Sequence, residues 1–330
     1  MHSIGRGRIS LWLSVPVLLL AHALCAASTT ATTSKPAATK AAATSSKTAA
    51  SKATASKSKT AHATAARSKA GTVSGLPAIR SNSILVIDGR DSSVLLSKNA
   101  DVPAPIASIT KLMTALVVLD AKLPLDEPIK ITQDDRATEK GDASRLPIGT
   151  TLTRGDLMHL ALMSSENRAA HALGRSYPGG IEAFIPAMNA KARALGMKHG
   201  HFADPTGLSD NNVASPEDLI KLVNAAAREP VIRAYSTDRE HEIVAGRSKL
   251  GYRNTNSLVN KADWDILVQK TGYTNAAGRC LVMKAMIQDR PVTMVLLNSF
   301  GKLTRVADAS RVRKWMEAGE SNSTLASSGS

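Results

Sequence analysis

The sequence predicts an α+β fold: a five-stranded antiparallel sheet flanked by helices, with an all-helical lobe inserted between its strands. Three observations carry this. Two apolar strand-like runs come early, at residues 83–88 and 94–96. Three more come late, at 266–271, 280–285 and 292–297, separated by short turns in the manner of a meander. Between the two sets, apolar residues recur at helical rather than strand spacing. One sheet assembled from both ends of the domain, with helices inserted between, satisfies all three.

The chain has 330 residues, but its first quarter does not read as core. Arg6 and Arg8, the apolar run 11–20 and small residues around Ala23, Ala26 and Ala27 make residues 1–27 a secretory signal peptide, too short in its apolar part to span a bilayer. Cys25 raises a lipid anchor, yet the bulky Leu24 before it argues for an exported soluble product. Residues 28–75 are almost wholly Ala, Ser, Thr and Lys. They offer too little apolar surface to offset ordering, so they read as a disordered tether. Of the net charge of +15, eleven positive charges precede Asp88 with no acidic residue among them, leaving +4 for the rest. The basicity therefore belongs to signal and tether, whose partner is an acidic surface such as wall polymer or anionic lipid, by a non-specific charge effect. Export argues against nucleic acid. With Cys25 at the signal's edge, Cys280 has no disulfide partner and reads as a small buried hydrophobe on a strand.

Residues 83–88 and 94–96 form strands around the turn Gly89-Arg90-Asp91-Ser92. Next comes Pro105-Ile106-Ala107-Ser108-Ile109-Thr110-Lys111-Leu112-Met113, the opening of a buried helix reaching about residue 119. Helices follow at 154–163, 166–177, 180–195 and 216–228, with loops between them that include Asp204-Pro205-Thr206-Gly207-Leu208. After the late strands, 305–318 is a closing helix and 319–330 a frayed tail, so the folded domain is set at 76–318. A site is expected in the cleft between the sheet edge and the helical lobe.

Ser108 and Lys111, three apart, share one helix face. A serine hydroxyl is a weak nucleophile until a neighbouring base takes its proton. Ser-x-x-Lys alone says little, because Ser56/Lys59 and Ser299/Lys302 repeat it. A lysine on an apolar helix, however, needs a reason to be there. Two further triplets supply the context: Ser165-Glu166-Asn167 between two helices, and Lys270-Thr271-Gly272 on the first late strand. Ser209-Asp210-Asn211 also fits Ser-x-Asn, but in a turn-rich loop where an Asx turn accounts for it, and Ser97-Lys98-Asn99 precedes the nucleophile.

In this order the elements resemble those of the penicillin-binding proteins and serine β-lactamases. Over residues 80–318 the wording is similar to the D-alanyl-D-alanine peptidases of family S11, in particular their endopeptidase branch. That likeness rests on Ala107–Thr114, Ser-Glu-Asn-Arg-Ala-Ala, Asp-Pro-Thr-Gly-Leu-Ser and Lys-Thr-Gly-Tyr-Thr. The resemblance implies a periplasmic hydrolase of peptidoglycan stem peptides and cross-links, trapped covalently by β-lactams and using no cofactor or metal. It makes Ser108 the nucleophile, Lys111 its proton acceptor and Ser165 a proton relay to the leaving amine. Asn167 positions Lys111 and the substrate amide, Lys270 and Thr271 hold the carboxylate after the scissile bond, and Gly272 lets substrate lie close. The backbone N–H groups of Ser108 and Thr274 form the oxyanion hole. To act as a base Lys111 must be neutral near pH 7, and desolvation together with the charge of Lys270 is expected to achieve that.

Three rivals remain. A class A β-lactamase would carry a Glu-x-x-Leu-Asn stretch, and none is found. A D,D-carboxypeptidase shares the motifs, since a carboxylate follows the scissile amide in both reactions. Only about sixty residues follow Lys270, enough for the rest of the sheet and one helix, which favours the endopeptidase. A non-catalytic wall-binding protein would leave the site idle. His199-Gly200-His201 lacks a matching carboxylate and reads as surface rather than as a metal site, and His159 and His171 as packed or solvated helix residues.

Overall fold

The computed structural model describes residues 76–136 and 144–327, all within the compact unit Ser68–Ser330. The signal and tether expected at 1–75 lie outside the described residues. In chain order the elements are β1 (Ser83–Asp88), β2 (Val94–Lys98), β3 (Ala104–Pro105), α1 (Thr110–Asp120), β4 (Pro128–Lys130) and β5 (Thr151–Thr153). Then come α2 (Arg154–Met163), α3 (Asn167–Arg175), α4 (Gly180–Ala194), β6 (Val213–Ala214), α5 (Pro216–Ala226) and α6 (Pro230–Thr237). The chain closes with β7 (Glu240–Ala245), β8 (Ser248–Arg253), β9 (Asp265–Thr274), β10 (Gly278–Ile287), β11 (Arg290–Ser299) and α7 (Thr304–Ser327).

The main sheet is antiparallel in the order β2-β1-β11-β10-β9, so the early strands pair with the last one and β9 is left at an edge. Both faces are covered, which is why the strands read as nearly continuous apolar runs. On β1 and β11, Ile84, Val86, Val292, Met294 and Leu296 pack under α7 with Val312 and Met316. Leu85, Val295 and Leu297, one residue out of phase, face the helical lobe and join Ile109, Leu112, Met113 and Leu116. Helix α1 is buried from Thr110 to Val118, polar residues included, so it is the post around which the lobe packs.

The structure departs from the sequence expectation in three places, the first being that the inserted lobe is not all-helical but carries the short strand pairs β3–β6 and β4–β5. Helix α6 and the β7–β8 ribbon fill a stretch to which no element was assigned. Only Ile243 and Tyr252 of that ribbon are buried, so it carries almost no alternation to read. The closing helix also passes residue 318 and runs to Ser327, where a frayed tail was expected. No proline follows to stop it, and Gly319 costs only about 1 kcal/mol as a helix interior residue.

Candidate active site

The turn that carries Ser108 is built before the helix it heads. Residues Ala107–Ile109 form a 3-10 turn, and Ala107 adopts φ +48°, a left-handed conformation that costs a residue with a side chain. It is held there by bonds on both sides: the Ile106 N–H donates to Asn212 O (3.0 Å) and the Thr110 hydroxyl to Ala107 O (2.8 Å). The result lifts the half-buried Ser108 towards the edge strand β9.

Lys111 stands one turn on and is 1% exposed. Its Nζ donates to Ser108 Oγ (2.8 Å), Asn167 Oδ1 (2.8 Å) and Thr206 O (2.7 Å), three acceptors brought from three separate parts of the chain. Burial brings its pKa down from 10.5 to about 7, while the carboxylates of Asp204 and Glu166 pull the other way. The expected role of Lys270 in that shift is thus corrected: loss of hydration, not the second cation, lowers Lys111. The repulsion is felt at Lys270, which burial first, then Lys111 and Arg305, push well below the ordinary lysine value.

Ser165 and Asn167 come from the tight turn between α2 and α3. The Ser164 and Glu166 N–H groups both donate to Leu160 O (3.1 and 3.2 Å), and Ser165 takes φ +64°. That bend aims Ser165 at the sheet, where its Oγ accepts from Lys270 Nζ (2.9 Å). Glu166 is turned aside and bonded by Ser144. On β9, Lys270 and Thr271 are buried, and the Thr271 hydroxyl pairs with that of Thr255 (2.6 Å). A Cβ on Gly272 would sit 2.9 Å from Ile106 O and 3.2 Å from Ser108 N. The glycine expected to admit substrate therefore first admits the nucleophile turn against the strand. Thr274 lies two residues further along β9, with its hydroxyl accepting from the Ala277 N–H (3.0 Å).

All eight residues singled out from the sequence thus lie on the β9 edge or on the lobe wall facing it. Among the decoys, Ser209 closes a local turn by accepting from the Asn211 N–H (3.2 Å), and Ser97 lies on β2 at the opposite edge. Ser299 is buried against Ser81 (2.7 Å), and Ser56 lies outside the described residues. His199 Nδ1 is 3.8 Å from Asp218, and His201 Nδ1 is 3.2 Å from Asn211 O. His159 packs between Tyr235 and His241 (ring centroids 4.5 and 4.1 Å), and His171 bonds Asp135 (3.1 Å). Among the described residues no group of three or more His, Cys, Asp or Glu is arranged to hold a metal. Cys280 is buried on β10 and unbridged, with its thiol pushed up to about 11 by burial.

Two contributors escaped the sequence reading. Thr206 acts through its backbone carbonyl. The loop carrying it is tied by Asp204, whose carboxylate accepts from the N–H groups of Thr206 (2.5 Å), Gly207 (2.7 Å) and Ser209 (2.8 Å). In the sequence this loop is visible only as a run of turn residues that contributes to the family resemblance. Arg305 on α7 lines the cleft with Ser108, Ser165, Asn167, Thr271 and Gly272. It is 8% exposed, and its Nε and Nη1 have no hydrogen-bond partner among the described residues. A buried guanidinium with unspent donors is suited to pairing with an anionic group. The available signal was an arginine in the first turn of a helix, where the dipole disfavours it.

The sequence profile of the D-alanyl-D-alanine carboxypeptidases, peptidase family S11, matches residues 69–301. The chain is 49% identical over 252 residues to the D-alanyl-D-alanine endopeptidase of Pseudomonas aeruginosa, covering 75% of this chain and 81% of the relative. It is 48% identical over 251 residues to that of Escherichia coli K12, covering 76% and 81%. A D-alanyl-D-alanine carboxypeptidase of Escherichia coli K12 is 29% identical, covering 74% of this chain and 62% of its own length. Among solved structures, the Streptomyces K15 DD-transpeptidase superposes with a TM-score of 0.68 at 26% identity, over 73% of this chain and 98% of its own. Fold, site order and profile agree, and the chain belongs to the S11 family of D-alanyl-D-alanine peptidases.

Proposed function

We propose that the protein is an exported, periplasmic serine D,D-endopeptidase that hydrolyses the D-alanyl–meso-diaminopimelate cross-links of peptidoglycan. The observation that carries the chemistry is the buried Lys111 amine, bonded at once to Ser108, Asn167 and Thr206 and tuned to about 7. An amine so placed serves as a general base near neutral pH. The identity of 48–49% with endopeptidases, against 29% with a carboxypeptidase, supports the choice of bond.

Substrate lies along the edge of β9. Its carboxylate beyond the scissile amide meets Thr271, Lys270 and the unspent donors of Arg305. That negative charge favours the ammonium form of Lys270 and so makes it a partner for the carboxylate. Ser108 Oγ attacks the D-alanyl carbonyl as Lys111 Nζ takes its proton. The oxyanion is held by the N–H groups of Ser108 and Thr274, at the head of a helix whose dipole favours negative charge. When the C–N bond breaks, Ser165 Oγ passes a proton to the departing amine, and water later releases the acyl group from Ser108. β-Lactams enter the same path and stall at the acyl-enzyme.

The direct test is incubation of purified protein with a defined cross-linked muropeptide dimer and, separately, a pentapeptide monomer. Conversion of dimer to monomers, abolished by Ser108→Ala, supports the reading. Removal of the terminal D-Ala with the dimer left intact makes the protein a carboxypeptidase. Failure of fluorescent penicillin to label the wild type makes the fold a non-catalytic wall binder, and rapid turnover of penicillin makes it a β-lactamase.

A further inference from the structure

Past Ser165 the cleft opens into a groove of about 850 Å³, against about 230 Å³ for the space between Ser108 and Arg305. The two spaces share Ser165 and Asn167. One wall of the groove is the α2–α3 turn with Ser144 and Arg145, and the other is the β7–β8 ribbon. Nothing in the acylation chemistry uses this second space.

Its direction follows from Ser165. The Oγ of that residue, read above as the relay to the departing amine, stands where the two spaces meet, so the groove leaves the reaction centre on the side of the departing amine. Its chemistry follows from Tyr252 and the two arginines that line it. Tyr252 is 1% exposed, and its hydroxyl has no hydrogen-bond partner among the described residues. Burial first, then the charge of Glu166, push that phenol up to about 12, so it remains a proton donor. A buried donor left unsatisfied is destabilising and is satisfied by an acceptor that arrives with a ligand. Arg145 lies 4.4 Å above the Tyr252 ring and donates to Gly251 O (3.0 Å), while Arg253 is exposed and its side chain makes no hydrogen bond or ion pair among the described residues. Of the three carboxylates that line it, Glu166 is bonded by Ser144, Glu242 is paired with Lys249 (2.8 Å), and Glu240 lies opposite Arg253 in the ribbon's register.

We propose that this groove receives the peptide arm on the amine side of the cross-link, the stem whose diaminopimelate nitrogen departs from the acyl-enzyme, and that it selects cross-linked over monomeric substrates. This rests on the endopeptidase reading. A departing D-Ala is a single residue and is accommodated beside Arg305. A departing stem carries several amide carbonyls and further carboxylates, acceptors for the Tyr252 hydroxyl, for Arg253 and for the donors Arg145 does not spend on Gly251 O.

Gly251 provides the test. It lines the groove, and a Cβ built on it meets nothing within 4 Å, so a large side chain can occupy the space without displacing backbone. Full-length wild type, Gly251→Trp and Arg253→Glu are compared on the cross-linked muropeptide dimer, with fluorescent-penicillin labelling of Ser108 reporting an intact site. Gly251→Trp is expected to lower kcat/KM on the dimer at least tenfold, mainly through KM, with labelling within twofold of wild type. Arg253→Glu is expected to raise KM severalfold in the same assay and guards against a tryptophan variant that misfolds. Dimer cleavage by both variants at the wild-type rate overturns the groove while leaving the endopeptidase in place. A wild type that labels with penicillin yet leaves dimers intact overturns the endopeptidase reading, and the groove's occupant goes with it.

Discussion

Lys111 decides at the scale of single residues what the site can do. Its three acceptors fix the amine, and burial makes the neutral form accessible at about pH 7. Lys111→Arg keeps a cation but cannot lose its proton, so acylation by penicillin should fall at least about 10²-fold. Stopped-flow labelling measures this, and near-normal acylation by the arginine variant excludes Lys111 as the base. The sign of the pH dependence is set by which form works. Below about 7 the amine is charged and idle, so kcat/KM should rise tenfold per pH unit up to that value and then level off. A profile flat from pH 5 to 8 contradicts a titrating base. The spacing of Ser108 and Lys111 was plain in the sequence, and desolvation is the expected cause of the lysine's neutrality, but the share given to Lys270 is not borne out. Motifs display charge and conceal burial. Arg305 shows the same blindness, since it belongs to no triplet and matters only because α7 packs on the sheet. Arg305→Gln should raise KM for carboxylate-bearing peptides about 10–100-fold with kcat little changed, and should not lower Tm, because it removes a buried charge that lacks partners.

The elements converge on the site at one point of closest approach, where β9 passes the turn before α1. Gly272 sits there, and a methyl group on it would press on Ile106 O and Ser108 N, both backbone atoms. Gly272→Ala should therefore shift the nucleophile turn rather than a side chain. The expected loss in acylation rate is about 10²-fold with the fold retained, read from labelling kinetics beside far-UV circular dichroism. An alanine variant that labels at the wild-type rate means the strand has slack that this packing does not show. The helices from α1 to α5 and the five sheet strands were legible because their apolar residues show either a helical period or a short continuous apolar run. The β7–β8 ribbon was not, because it is exposed on most of both faces and its register is set by backbone bonds that leave no trace in composition. The Asp204 loop lies between these cases. Its turn residues were visible, but the Thr206 carbonyl it presents to Lys111 is common to every residue type and cannot be read from a side chain.

At the scale of the whole molecule the charge is divided from the chemistry. Eleven positive charges precede Asp88, while the remainder, which holds every residue of the site, carries only +4. We infer that residues 28–75 act on where the enzyme resides rather than on what it does. The wall and the membrane surface are both anionic, and a chain of dispersed lysines is drawn to either with an attraction that fades over about 8 Å at physiological salt. Deleting residues 28–75 should therefore leave penicillin labelling in solution within twofold of the full chain. It should also reduce co-sedimentation with purified sacculi severalfold at low salt. In about 0.5 M salt the two proteins should sediment alike, because screening removes the long-range part of the attraction that the deletion removes by other means. Equal sedimentation at low salt would reduce the segment to a spacer, and a fall in labelling would show that it reaches the catalytic unit itself.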